Sequence, residues 1–300
     1  MSAKIQFHKT IYFFWKIFRP SIFNLFKFIF ANNINSFYNN TLWPTPCKNW
    51  LNMGYWKHAT DYPTAASSLA MLLTEQGEFQ SKDSILDVGN GYGEQNIQWA
   101  KKYGATITAL NINPHQVEIG NQRVEECGLK QKISIQQGSA SHLPFLDDRF
   151  TKVVALESAF HFNTREGFFH EAHRVLKPGG LLCMADIIFK NGNESSDIMT
   201  NTLQILMRKK SCIPEDNVYN QEVYISKCSA AGFTDIKILS IKKYVFPGWV
   251  RCLEMTANNK KDIFIGLLPE DELENHYGIT HYKNILGIDD YIIVIARKAG

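Results

Sequence analysis

The chain has 300 residues, 45% of them apolar and 20% charged, the composition of an ordinary globular protein large enough for one sizeable domain with additions. No 20–50-residue period, collagen-like composition or long low-complexity run is present, which excludes repeat arrays and fibrous classes. The net charge of +3 is uneven: the first 60 residues carry seven Lys/Arg and no acid, so the remainder is about −4. A body that binds nucleic acid spreads basic residues over its binding face, so no nucleic-acid partner is expected.

Residues 5–30 read IQFHKTIYFFWKIFRPSIFNLFKFIF. Lys16, Arg19, Pro20 and Lys27 interrupt the apolar run, which argues against a membrane span or a signal peptide. On a helix, His8, Lys9, Lys16 and Arg19 share one side, opposite Phe7, Ile11, Phe14 and Phe18. That pattern suits a helix lying in a membrane interface, or one packed on the enzyme body as a lid or dimer contact. The Asn-rich stretch 31–40 reads as a linker, and Pro44 and Pro46 mark a further break. The expected division is an aromatic, basic helical extension over 1–45 and a main domain over 46–300.

From residue 84, strand patterns alternate with helix patterns, which implies a parallel sheet with helices on both faces. Strands are predicted at 84–88, 106–110, 133–137, 152–156, 181–186, 233–240 and 291–296. Helices are predicted at 94–103, from Pro114 to Cys127, and from an Asn163 cap to Leu176. Lys177-Pro178-Gly179-Gly180 reads as a turn. The segment 187–232 follows the C-terminal end of the fifth strand, where open α/β sheets bind ligands, and is read as a helical cap.

Asp87-Val88-Gly89-Asn90-Gly91-Tyr92-Gly93 leaves an apolar strand and opens a helix, which suits a nucleotide-like group. The dinucleotide spacing G-x-G-x-x-G fails, since Glu94 or Asn96 stands where the third glycine belongs. No G-K-[ST] follows, so a phosphate loop is excluded as well. Six scattered cysteines show no metal spacing, so no metal is expected and a reducing, cytoplasmic setting is.

The D-x-G-x-G-x-G form resembles motif I of class I S-adenosylmethionine-dependent methyltransferases. With ATITALNINPHQVEIGNQR, ISIQQGSASHLPFLDDRFTKVVALESAFHF and EAHRVLKPGGLL, the chain resembles the ubiquinone-biosynthesis-like superfamily. LNMGYW at 51–56 and ESAFHF at 157–162 resemble the small-molecule O-methyltransferases of the rifamycin and erythromycin type. The resemblance spans about residues 50–298. It implies a Rossmann-like sheet, the cap after the fifth strand, and S-adenosyl-L-methionine as cofactor.

The same resemblance implies that Gly89, Gly91 and Gly93 line the methionine and ribose side. Asp87 would hold the loop or meet the methionyl amine, and Tyr55 would sit over the cofactor. Asn111, followed by Ile112, stands where the family has a ribose-binding acid, and Gln116 matches a glutamine near the cofactor. Ser139-Ala140 replaces Asp-Ala near the adenine. His161 is the candidate base for a hydroxyl acceptor, and Glu157 either orients it or contacts the cofactor. The expected activity is methylation of a small, lipophilic acceptor at oxygen, with peripheral membrane contact through residues 5–30. The alternatives are carbon methylation of a lipid or isoprenoid and a non-catalytic, membrane-associated S-adenosylmethionine-binding protein.

Overall fold

The computed structural model describes residues 49–190, 198–259 and 286–300. The extension over 1–45, its helix at 5–30 included, and residues 191–197 of the expected cap lie outside the described residues. Within them the chain runs α1 (Tyr62–Gln76), β1 (Ser84–Val88), α2 (Glu94–Tyr103), β2 (Thr106–Asn111), α3 (Pro114–Glu126), β3 (Ile133–Gln137) and β4 (Phe150–Leu156). It continues with α4 (Arg165–Val175), β5 (Leu176–Phe189), α5 (Ile198–Lys210), α6 (Gln221–Ala230), β6 (Phe233–Ser240), α7 (Lys242–Asn259) and β7 (Ile288–Lys298).

Seven strands form one sheet in the order β3-β2-β1-β4-β5-β7-β6. The pairs β2–β3, β1–β2, β1–β4 and β4–β5 are parallel. The expected Rossmann-like sheet with helices on both faces is present, and β7 completes it by entering antiparallel between β5 and β6. Its near-continuous apolar run is consistent with that central, two-faced burial.

The strands' period of two sends alternate side chains to opposite faces. Cys183, Ala185 and Ile187 of β5 face one core, with Leu69 and Leu73 of α1, Trp99 of α2 and Trp249 of α7. Leu182, Met184 and Ile188 face the other, with Phe168 and Phe169 of α4 and Tyr224 of α6. Fully burying a side chain such as Leu or Phe contributes about 1.5–3 kcal/mol, so these two layers fix the strand tips rigidly. α6 falls inside the expected cap at 187–232, yet it packs on β5, β6 and α4 as a flanking helix of the sheet.

The helix ends show how closely local chemistry sets the chain's path. Asn113 caps α3, accepting from His115 N at 3.0 Å, with Pro114 in the first turn. Thr164 rather than Asn163 caps α4: its oxygen accepts from Gly167 N at 3.1 Å, the third amide of the helix. The segment 177–180, expected as a turn between helix and strand, lies within β5, where the pairing with β4 shifts between Phe150 and Lys152. Among the described residues no helix is long and apolar enough to cross a membrane, and no cluster of three or more His, Cys, Asp or Glu could hold a metal ion.

Candidate active site

The C-terminal tips of β1, β2, β3 and β4 open into a cavity of about 500 Å³. Its floor begins at the loop after β1. Gly89 has φ 80° and Gly91 φ 55°, in the left-handed region that side chains with a Cβ rarely adopt. A Cβ on Gly89 would overlap the Cβ of Ser158, and one on Gly91 would sit 3.0 Å from Leu51 Cδ1. The loop is therefore backbone-thin where the cavity needs room.

Asp87 lies fully buried beneath this loop. Its Oδ2 accepts from Asn96 Nδ2 at 2.7 Å and from Gln95 Nε2 at 3.1 Å. Burial nevertheless pushes its carboxyl up to about 7, against the lowering effect of those two amides. Asp87 Oδ1, both side-chain polar atoms of Asn90, and Gln116 Nε2 are buried with no hydrogen-bond partner. Such orphaned groups are rare in a finished core and are the mark of a site awaiting a polar ligand.

At the tip of β2, Asn111 Nδ2 donates to Gln116 Oε1 at 2.9 Å and to the Gly91 carbonyl at 3.3 Å. Its Oδ1 accepts from Asn113 N at 3.0 Å. Both ends of the amide are thus committed, and Gln116 Nε2 is the donor left over. Ile112 is half-exposed beside it, and Gly138, Ser139 and Ala140 complete this edge.

The β4 edge is built differently. Glu157 has φ 49°, unusual for a residue with a side chain, and is almost wholly buried. Its Oε1 accepts from Tyr291 Oη at 2.6 Å and from Met53 N at 2.7 Å. Burial pushes its carboxyl up to about 8, despite those two donors. Met53 belongs to the segment 49–56, which is tied to α1 through Asn52 Nδ2 to the Ala66 carbonyl and Tyr62 Oη to the Asn52 carbonyl. Asn49, Leu51 and Asn52 of that segment line the cavity.

His161 sits on a short helical turn, Ala159–His161, after β4. Its ring packs on Phe160, and its Nδ1 lies 3.1 Å from the Cys212 carbonyl. Burial lowers its basicity to about 4, with the nearby Arg165 guanidinium adding to the effect. The imidazole is therefore neutral across the physiological range.

Of the residues singled out from sequence, the cavity brings together Gly89, Gly91, Asn111, Ile112, Gln116, Ser139, Ala140, Glu157 and His161. It does not include Asp87, Gly93 or Tyr55. Asp87 acts one layer down, through Gln95, which does line the wall. Gly93 (φ 76°) starts α2, where a Cβ would press on Ile135 Cδ1 at 3.1 Å. Tyr55 packs edge-on against Tyr244 of α7, away from the cavity. Nor does Glu157 hydrogen-bond His161; its partners are Met53 N and Tyr291 Oη. Sequence reasoning missed Asn90, Gln95, Ser158, Phe162 and the 49–52 segment. Asn90 lies inside the glycine motif, Gln95 two residues beyond it and Met53 inside LNMGYW, whereas nothing local marks their partners across the chain, such as Tyr291.

A glycine-lined, polar cavity across the strand tips of an open α/β sheet defines a nucleoside-binding enzyme class. Residues 86–184 match the family model described as "Methyltransferase domain". The chain is 33% identical over 268 residues to erythromycin 3''-O-methyltransferase of Saccharopolyspora erythraea, covering 84% of each chain. It is 26% identical to 27-O-demethylrifamycin SV methyltransferase of Amycolatopsis mediterranei, over 68% of this chain and 74% of that one. The fold is shared with geranyl diphosphate C-methyltransferase of Streptomyces coelicolor A3(2), at 18% identity and TM-score 0.61, over 78% and 80% of the two chains.

The chain belongs to the class I S-adenosylmethionine-dependent methyltransferases, and its cofactor is S-adenosyl-L-methionine. The residues present fit that group: glycine backbone at the floor, the unmet Asn90 amide and Gln116 Nε2, and the Glu157 carboxyl on the wall for a ligand with cationic centres.

Proposed function

We propose that this methyltransferase modifies a hydroxyl of a small, lipophilic acceptor. The cofactor supplies an activated methyl group on a sulfonium, so the protein's tasks are to align the acceptor, exclude water and receive a proton. The observation that carries the reading is the placement of His161 on the cavity wall, the one imidazole among the described residues that line it; burial lowers its basicity, so it takes the proton only as the hydroxyl is methylated. The O-methyltransferase names of the erythromycin and rifamycin relatives support oxygen as the target.

In this reading Gly89, Gly91 and Asn90 hold the cofactor's amino-acid side. Asn111, Ile112 and Gln116 hold the ribose, and Ser139 with Ala140 the adenine. Asp87 stiffens the loop through Gln95 and Asn96. Glu157 fixes the 49–56 segment and places a carboxyl oxygen at the cavity. Leu51, Leu156 and Phe162 give the wall an apolar part that suits a lipophilic acceptor. The basic, aromatic pattern of residues 5–30 supports peripheral contact with a membrane that would store such a molecule.

The test incubates the full chain with methyl-labelled S-adenosylmethionine and a panel of lipophilic alcohols, phenols, amines and alkenes, and locates the label by mass spectrometry and NMR. Transfer to oxygen, lost in His161→Ala with S-adenosylhomocysteine affinity retained, is the expected result. Transfer to carbon overturns the oxygen assignment. Cofactor binding with no transfer to any acceptor points to the non-catalytic reading. Removal of residues 1–40 should abolish co-sedimentation with liposomes; unchanged sedimentation ends the membrane proposal.

A further inference from the structure

The turn that carries His161 is gripped by one short stretch of chain. The Cys212 carbonyl lies 3.1 Å from His161 Nδ1. A carbonyl oxygen only accepts, so this contact draws the ring proton to Nδ1; the Ser211 carbonyl beside it also hydrogen-bonds the ring. Five residues on, Asn217 ends the short helix Glu215–Asn217 and is fully buried.

The Asn217 side chain uses its amide on both sides of this turn and its oxygen on the helix that follows. Its Nδ2 donates to the Phe162 carbonyl at 2.8 Å and to the Phe160 carbonyl at 3.1 Å, the two residues flanking His161. Its Oδ1 accepts from Arg165 N at 2.7 Å. The Asn217 carbonyl accepts from Arg165 Nη1 at 2.8 Å. Arg165 is in turn paired with Asp186 of β5, Nε to Oδ2 at 3.0 Å, and lies against the rings of Tyr219 and Tyr224. The chain of contacts therefore runs from the sheet through Asp186 and Arg165 to Asn217, and from Asn217 to both sides of His161. A buried network held by this many hydrogen bonds and an ion pair is stiff, and a catalytic group must be held within about 0.5 Å to be effective.

We propose that the segment 212–217 sets the tautomer and direction of His161, with Asn217 as the positioning residue and the Cys212 carbonyl as the group that keeps the proton on Nδ1. The inference rests on the reading of His161 as the base, and its test separates the two. Asn217 does not itself line the cavity and touches its wall only through the Phe162 carbonyl. It acts on the reaction only through the turn it holds, so cofactor binding and turnover should respond differently to its loss.

The experiment is ring-nitrogen NMR on the full chain labelled at histidine, with S-adenosylhomocysteine bound. Wild type should show His161 as a single Nδ1–H tautomer; an Nε2–H tautomer overturns the proposal without any variant. Asn217→Asp keeps the shape and the acceptor for Arg165 N but removes the two amide donors. It should give a mixed or Nε2–H tautomer and lower kcat by about tenfold or more, the range general-base catalysis commands. Its dissociation constant for S-adenosylhomocysteine should stay within about twofold, since the cofactor wall is untouched. An unchanged tautomer in a folded Asn217→Asp protein overturns the positioning role. Normal turnover in His161→Ala would instead remove the base on which the inference rests, leaving the tautomer result as a structural fact.

Discussion

Along the tips of β1, β2 and β3 the cavity wall is made by near neighbours in the chain, whereas along the tip of β4 it is assembled from afar and braced from behind by β5. On the first side, Gln95 reaches Asp87 across eight residues and Asn111 reaches Gln116 across five. On the second, Glu157 meets Met53 and Tyr291 across 104 and 134 residues, and Asn217 reaches Arg165 across 52. The near wall depends on backbone conformations that a short motif can encode. The far wall depends on the whole sheet bringing separate segments together, so it can be altered in one segment without disturbing the nucleoside site.

The largest effect expected from this contrast lies in the far wall. Arg165 and Asp186 are both fully buried and paired at 3.0 Å. Arg165→Met keeps the apolar stem but leaves the Asp186 carboxylate without its cation. Breaking a buried pair from one side costs about 3–5 kcal/mol, so urea unfolding at pH 7 should show a loss of that size. A loss below about 1 kcal/mol, the worth of an exposed pair, would mean that the far wall does not depend on this anchor.

Next comes the near wall. Gly89→Ala places a methyl group against Ser158 and forces an L-residue to φ 80°. Overpacking of this kind costs about 1–3 kcal/mol. If it is relieved by moving the loop, affinity for S-adenosylhomocysteine in a calorimetric titration should fall roughly tenfold to a hundredfold. Global stability should change less than in Arg165→Met. Equal losses of stability in the two variants would erase the distinction between the walls.

The two walls also differ in what their sequences disclose. The glycine loop, the Asn113 cap and the strands at 84–88, 133–137 and 233–240 could be read because turn residues and period-two patterns act within a few positions. The antiparallel entry of β7 could not, since apolar runs carry no direction. Tyr55 shows the same limit: the family resemblance implied a place over the cofactor, and only the fold shows its ring edge-on to Tyr244 of α7. Asn217 carries no local signal at all. It is an asparagine in a loop, and only the fold brings it to the carbonyls beside His161.

Glu157 stands where the walls meet and gives a pH test. Its folded carboxyl is raised to about 8, and Asp87 is raised to about 7, both by burial. A folded state that holds protons more tightly than the unfolded chain loses stability as pH rises. On this contribution the ligand-free protein should be most stable below the unfolded values of 3.8 for Asp87 and 4.5 for Glu157, and lose it progressively up to about pH 8. Glu157→Gln keeps an acceptor for Met53 N and Tyr291 Oη but cannot ionise. Its denaturation midpoint should fall less steeply between pH 5 and 8, with the Asp87 share remaining; identical slopes would show that Glu157 titrates normally.

The smallest effect is expected at Asn111, although it occupies the position where an acid was anticipated. In the present arrangement Asn111 Nδ2 donates to Gln116 Oε1, which turns the Gln116 Nε2 donor toward the unmet side. Asn111→Asp removes that donor. The Gln116 amide must then turn over, so that Nε2 meets the new carboxylate and Oε1 takes the outward place. A ribose hydroxyl both donates and accepts, so it can pair with either face of the amide. The dissociation constant for S-adenosylhomocysteine should change by no more than about threefold, less than the free energy of one ordinary hydrogen bond. A loss beyond tenfold would show that the wall is committed to an amide donor at this point. The departure from an acid at 111 would then be a matched change with Gln116 rather than a tolerated one.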